Sequence, residues 1–314
     1  MEKRKLIILI SAACAVLAIG IACFFGIKSH LDNKITFTVN DTLPDGGGRE
    51  AVVILLGGQS NASGCSLDEY LKKNVTPEKY EEYKNGFDNV YINYLSGANV
   101  SEGFVKCATL QGELEGAFGP ELGLAEKLSE LYPDKAFFIV KCAWGGSNLH
   151  NQWLSPTSFG KTGEFYKQFI AFTEASLNYL ISKNYNAKIA GMCWMQGESD
   201  AFSKENAVDY GKNLNNFIED IRKKLSCYSA DGGIAFADAY IAPNPVFWVY
   251  YEAVNRGKDE VAANSPQNVI VDTISAGLIC TEEPEGNPDI PHYDSVSEIK
   301  LGHLFAEKIS EFLD

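Results

Sequence analysis

The apolar run Val52-Val53-Ile54-Leu55-Leu56 ends abruptly in Gly57-Gly58-Gln59-Ser60-Asn61, and this junction constrains the fold more than any other stretch. The run is β-branched and leucine-rich without alternation. Such a pattern predicts a strand buried on both faces, as in a parallel sheet. Two glycines then permit a tight turn with torsions that other residues avoid. Ser60 follows where the strand gives way to a helix. Open α/β sheets bind ligands at the carboxyl ends of their strands, so Ser60 is placed where such folds do chemistry. The competing reading is structural: serine is a favoured helix N-cap.

The rest of the chain repeats the alternation. Strand-like runs fall at Val52–Leu56, Val90–Leu95, Ala136–Cys142, Ile189–Met195, Ile234–Tyr240 and Val269–Asp272. Helix-like segments fall at Glu121–Tyr132, Glu164–Lys183, Lys204–Leu225, Val246–Ala263 and Ser295–Phe312. Alternating strands and helices imply a mostly parallel sheet with helices on both faces. The organisation reads as three parts: 1–29 an anchor or signal, 30–48 a stalk with a short strand at Thr36–Val39, and 49–314 one domain.

The amino-terminal part has its own logic. Lys3, Arg4 and Lys5 precede an apolar stretch from Leu6 to Ile27. About 20 apolar residues cross a bilayer as a helix. Basic residues on the amino side keep that side cytoplasmic. The stretch is longer than the apolar core of a cleaved signal, about 7–15 residues. It reads as an uncleaved membrane anchor with the domain outside the cytoplasm; a cleaved segment would make the protein secreted.

Charge and cysteines exclude other classes. The formal net charge is −14, with no basic stripe for nucleic acid. No cysteine pair has metal-ligand spacing, and no metal or cofactor is expected. An extracytoplasmic setting permits disulfides among Cys65, Cys107, Cys227 and Cys280. No P-loop, dinucleotide fingerprint or HExxH string occurs. Ala62 stands where the α/β-hydrolase elbow needs glycine.

Three further segments join Gly57–Asn61 at or near strand ends. They are Ala143-Trp144-Gly145-Gly146-Ser147, Trp194-Met195-Gln196-Gly197-Glu198-Ser199-Asp200, and Asp289-Ile290-Pro291-His292. A serine hydroxyl needs a base to become nucleophilic. Histidine is the usual one, and a carboxylate fixes its tautomer. Asp289 and His292 share one turn stiffened by Pro291. Asp294 is the rival acid, but it falls where the last helix begins and carboxylates are welcome there anyway. An oxyanion needs donors; the backbone N–H groups of Ser60, Gly145 or Gly146 and the amide of Gln196 are the candidates. Gln59, Asn61 and Glu198 read as supporting or substrate-binding residues, and His150 with Trp153 as lining for the cleft. Glu198 and Asp200 also admit a carboxylate-pair glycosidase, though a loop-bracing role suits them better. His303 reads as structural or exposed.

These four segments, in this order, resemble the block motifs of the SGNH hydrolases, and in particular the sialate O-acetylesterase-like carbohydrate esterases. GlyGlnSerAsn and GlnGlyGluSerAsp carry the specificity; the Gly-Gly-Ser turn, Asp-x-x-His and Gly119-Pro120-Glu121 add to it. Ala62 departs from a common methionine. The resemblance covers about the whole domain. It implies a three-layer α/β/α flavodoxin-like sandwich with about five or six strands, and Ser60 as nucleophile, His292 as base and Asp289 as orienting acid. It implies an acetylated carbohydrate as substrate. A non-catalytic surface carbohydrate-binding protein, or an esterase for other acyl groups, is the alternative.

Overall fold

A computed structural model describes residues 35–313 apart from position 245. The expected anchor lies outside the described residues. Among the described residues no helix is long and apolar enough to cross a membrane. In chain order the elements are β1 (Glu50–Gly58), α1 (Ser60–Ser63), β2 (Ser66–Leu67), α2 (Asp68–Asn74), α3 (Pro77–Asn85), β3 (Val90–Ser96), β4 (Asn99–Val100), β5 (Val105–Lys106), β6 (Ala117–Phe118), α4 (Glu121–Leu131) and β7 (Phe137–Ala143). There follow α5 (Glu164–Ser182), β8 (Asn186–Met195), α6 (Lys204–Lys224), β9 (Ala235–Ala239), α7 (Tyr251–Ala262), β10 (Asn268–Val271) and α8 (Ser295–Ser310).

The central sheet runs β10-β9-β8-β1-β7-β3-β4, with β5 also on β3. From β10 to β3 every pair is parallel; β4 and β5 are antiparallel. The expected α/β class is therefore observed: β7-β1-β8-β9-β10 takes the 2-1-3-4-5 order of a flavodoxin-like sheet, and β3 extends it at the edge beside β7. The chain reverses direction across the sheet at β1, which puts the Ser60 turn at the switch point.

β1 is central because nothing in it needs water: Val53 through Leu56 are fully buried. Helices cover both faces. On one, Phe217 of α6 packs against Trp194 of β8 and Phe236 of β9, and Tyr166 of α5 packs against Phe217. α6 earns this place by helical spacing, burying Tyr210, Leu214, Phe217, Ile218 and Ile221. On the other face, Gly191 of β8 lies against Ile309 of α8.

α4 and α8 cross on that second face at backbone contact. A Cβ on Gly123 would stand 2.0 Å from the Ile299 carbonyl oxygen, and one on Gly302 would stand 2.2 Å from that of Pro120. The crossing sets the depth of α8, whose amino end follows His292 directly.

Three expectations need correction. Thr36–Val39 forms no strand, and the segment from Thr36 belongs to the same compact unit as the domain. Phe37 packs edge-on against Phe172, and the Asn40 and Gly46 N–H groups bond to Glu102 and Lys183 carbonyls, so the carboxyl part of the stalk is docked. The helix expected from Val246 starts at Tyr251, because the Asn244 side chain accepts from the Val246 and Phe247 N–H groups and holds a turn there. All six described cysteines are free thiols. Cys107, for one, is buried and donates to the Glu121 carbonyl.

Gly302→Ala is expected to lower stability by about 3 kcal/mol, since a methyl group cannot fit between two backbones. A urea midpoint equal to wild type would show that the crossing yields at little cost.

Candidate active site

The turn after β1 has only one solution. Gly58 has φ +142, and a Cβ there would stand 2.0 Å from the Met195 carbonyl oxygen. Gln59, not Ser60, occupies the N-cap position of α1, and the Ser60 hydroxyl caps nothing. The N-cap explanation for this serine therefore fails. Ser60 is 8% exposed, enough to meet solvent.

The two residues flanking Ser60 are staples. Gln59 turns its carbonyl oxygen to the Gly197 and Ser199 N–H groups and to the Gln196 amide. Asn61 works in the other direction. Its amide donates to Glu198 at 2.9 Å and to the Pro291 carbonyl at 3.2 Å, and its oxygen accepts from the Tyr293 N–H at 3.1 Å. One side chain thus grips the backbone on both sides of His292. Ser66 adds a fourth tie, donating to the Tyr293 carbonyl at 2.6 Å. Segments more than 200 residues apart are brought together by the residue next to Ser60.

His292 is held in turn. Its Nδ1 meets the Asp289 carboxylate at 2.6 Å. Asp294 is engaged elsewhere, accepting from the Glu282 and Glu283 N–H groups at the start of α8. Among the described residues the Ser60 hydroxyl makes no hydrogen bond to the ring, and Cys65 stands beside it. Burial pulls the imidazole toward neutrality. Cys65 and Asp289 outweigh burial, and the His292 pKa stands well above its ordinary value. Burial works against ionisation of Asp289 too, but the bond to His292 prevails and keeps that carboxyl below its usual range.

The oxyanion candidates divide. Gln196 is fully buried, and its amide nitrogen is committed to Gln59, the Ser147 carbonyl and Asp200 at 2.7 Å. It braces the site and has no donor to spare. The Gly145 N–H is also taken, donating to the Glu113 carboxylate at 2.8 Å. The Ser60 and Gly146 N–H groups have no acceptor among the described residues and are free to meet one.

Glu198 and Asp200 are buried bracing acids. Burial raises the pKa of both. Asp200 accepts from the Leu149 and His150 N–H groups, so it ties the third segment to the loop after the second. Trp153 does not line the cleft. It is fully buried, packed with Trp144, Phe165 and Trp194, and its indole N–H donates to Ser147. His150 is half-buried, with its Nδ1 out of solvent and unpartnered. His303 pairs with Glu126 on α4, away from these loops.

Two residues of the site carried no signal in the sequence. Cys65 read as a disulfide candidate, and Glu113 sits in a loop with no motif. Only the fold places Cys65 beside His292 and Glu113 beside Gly145.

A family model described as carbohydrate esterase, sialic acid-specific acetylesterase, matches residues 50–311. The probable 9-O-acetyl-N-acetylneuraminic acid deacetylase of Escherichia coli (strain K12) is 27% identical over 194 residues. That match covers 55% of this chain and 57% of the relative, so the similarity spans little more than half its length. Among solved structures, NanS superposes with a TM-score of 0.61 at 19% identity, covering 87% of this chain and 99% of that one. A protein from Arabidopsis thaliana gives 0.59 at 20%, covering 84% and 99%. At such identities these two likenesses speak for the fold.

The electrostatics give a direct test. The His292 ring, followed by NMR, is expected to titrate above the ordinary imidazole value of about 6.5. Asp289→Asn removes the partner of the charged ring and is expected to lower the midpoint. A midpoint unmoved in that variant overturns the pairing. Because the folded-state pKa is the higher one, the pairing adds stability below the unfolded value, and that stability is lost as pH rises through the folded value.

Proposed function

The chain belongs to the sialic acid-specific acetylesterase family of carbohydrate esterases, and from that premise we propose that it hydrolyses O-acetyl esters on carbohydrates through an acetyl-enzyme on Ser60. The observation that carries the reading is the Asn61 grip, which delivers the Asp289–His292 pair to the flank of Ser60. We read the fold as that of the SGNH hydrolases.

The chemistry follows from the groups present. Ser60 Oγ attacks the acetyl carbonyl while His292 Nε2 takes its proton, a turn of the serine side chain bringing it to the ring. Asp289 holds the Nδ1 proton and stabilises the imidazolium. Negative charge on the carbonyl oxygen is met by the free N–H groups of Ser60 and Gly146. His292 returns its proton to the departing sugar hydroxyl. Water, deprotonated by the same imidazole, then releases acetate and restores Ser60. No step uses a cofactor.

Ser60→Ala is expected to cut acetate release from p-nitrophenyl acetate or an acetylated sugar by about 10⁴-fold or more. A fluorophosphonate probe should label Ser60 in the native protein and leave the variant unlabelled. Full turnover in the variant would remove Ser60 from the mechanism.

We further propose that the enzyme works outside the cytoplasm, tethered by the apolar stretch from Leu6 to Ile27; the support is its length and the basic residues before it. Protease added to intact cells should then degrade the domain. A domain cleaved only after lysis places it inside.

A further inference from the structure

Glu113 lies outside the four segments, yet it touches one of them and the helix end that follows another. Its backbone N–H donates to the Gly64 carbonyl at 2.8 Å, and the Gly64 N–H donates to the Ser60 carbonyl at 2.9 Å. The loop that carries Glu113 is therefore fastened to the end of α1. Its carboxylate then reaches in both directions. A single oxygen, Oε2, accepts from the Ser63 hydroxyl at 2.5 Å and from the Gly145 N–H at 2.8 Å. Ser63 stands one helical turn after Ser60, and its hydroxyl also reaches the Ser60 carbonyl at 3.2 Å.

We infer that Glu113 is a positioning residue for the oxyanion site, its carboxylate fixing the distance between the Ser60 turn and the Gly145–Gly146 turn. The consequence is a choice between two adjacent donors. The Gly145 N–H is withheld by the carboxylate. The Gly146 N–H, in an exposed turn with φ +68 and open space beside its Cα, remains for the substrate oxygen. Bonds of an ionised acceptor to N–H and O–H donors are short and strong, so this oxygen holds both partners in place. Oxyanion stabilisation depends on donors fixed before the charge develops, and small displacements reduce it sharply.

The role belongs to geometry rather than to the charge itself. An anion near a developing anion offers no direct help, so the carboxylate's use lies in what it holds. An amide oxygen in the same place accepts both hydrogen bonds in the same geometry, though less strongly than a carboxylate. Aspartate is one methylene short.

The inference rests on Ser60 being the nucleophile, and the experiment separates the two. Steady-state kinetics with p-nitrophenyl acetate are measured on the full chain for wild type, Ser60→Ala, Glu113→Ala and Glu113→Gln. Affinity for phenylboronic acid, which forms a tetrahedral adduct on a serine, is measured alongside. An active wild type with an inactive Ser60→Ala establishes the premise. Glu113→Ala is then expected to lose about 10–100-fold in kcat with KM within about twofold, less than the direct loss of a donor. Its boronate affinity should fall in parallel. Glu113→Gln should restore kcat to within about threefold of wild type. Wild-type kcat in Glu113→Ala overturns the inference and leaves Ser60 untouched. So does a Glu113→Gln enzyme as slow as the alanine variant. If Glu113→Ala does not fold, the Glu113→Gln and Glu113→Asp pair decides: a slow aspartate enzyme beside a fast glutamine one supports the role, and equal rates overturn it.

Discussion

Everything distinctive about this protein hangs on the Asn61 amide. A parallel sheet delivers its strand ends to one edge, but it does not bring the loops beyond them into register. Asn61 does so by bonding to Glu198 and to the backbone on either side of His292. Its neighbour Gln59 fastens the same turn to the GlnGlyGluSerAsp loop. Each is almost fully buried. A buried donor left without its partner costs about 1–3 kcal/mol, so these loops cannot drift singly. The Ser60 turn is thus the hub that positions the loops around it.

Beneath the hub lie two buried ion pairs. Lys258 meets Asp238 at 2.5 Å and also donates to the Gln196 carbonyl; Lys141 meets Glu121 at 2.7 Å and donates to the Gln111 carbonyl. Each lysine ties a sheet strand to a covering helix and then supports a loop that feeds the site. Burial raises Asp238 to about 6 despite its lysine. Such pairs add little net stability over apolar packing, but removing one partner strands the other charge at about 3–5 kcal/mol. Their value here is register. Lys258 fixes the start of the loop that Gln59 grips, and Lys141 links β7 to the loop that ends in Glu113.

The sequence made the six parallel strands and the five large helices legible because each obeys a period. Buried strands read as unbroken apolar runs, and α6 and α8 repeat their apolar residues every three or four positions. The two short helices α2 and α3 went unread, since Tyr83 and Leu71 give too few buried positions for a period. The place of β3 went unread too, because which edge of a sheet an added strand joins is decided by long-range pairing. In the site, Ser60, Asp289 and His292 were legible as motif residues. The tasks of Gln196, Trp153 and Gly145 were not. A motif names residue types, whereas donors are assigned by what stands opposite them, and here Asp200, Ser147 and Glu113 do.

The imidazole draws these threads together. Burial favours the neutral ring, and the bond to Asp289 favours the charged one and helps to outweigh it. A partner that favours the charged ring makes it a stronger base, yet it also keeps the ring protonated to higher pH. A general base works best when its pKa lies near the operating pH, because strength and availability oppose each other. In the mechanism proposed for Ser60, the same bond that orients the ring therefore also sets the pH at which the ring can accept a proton.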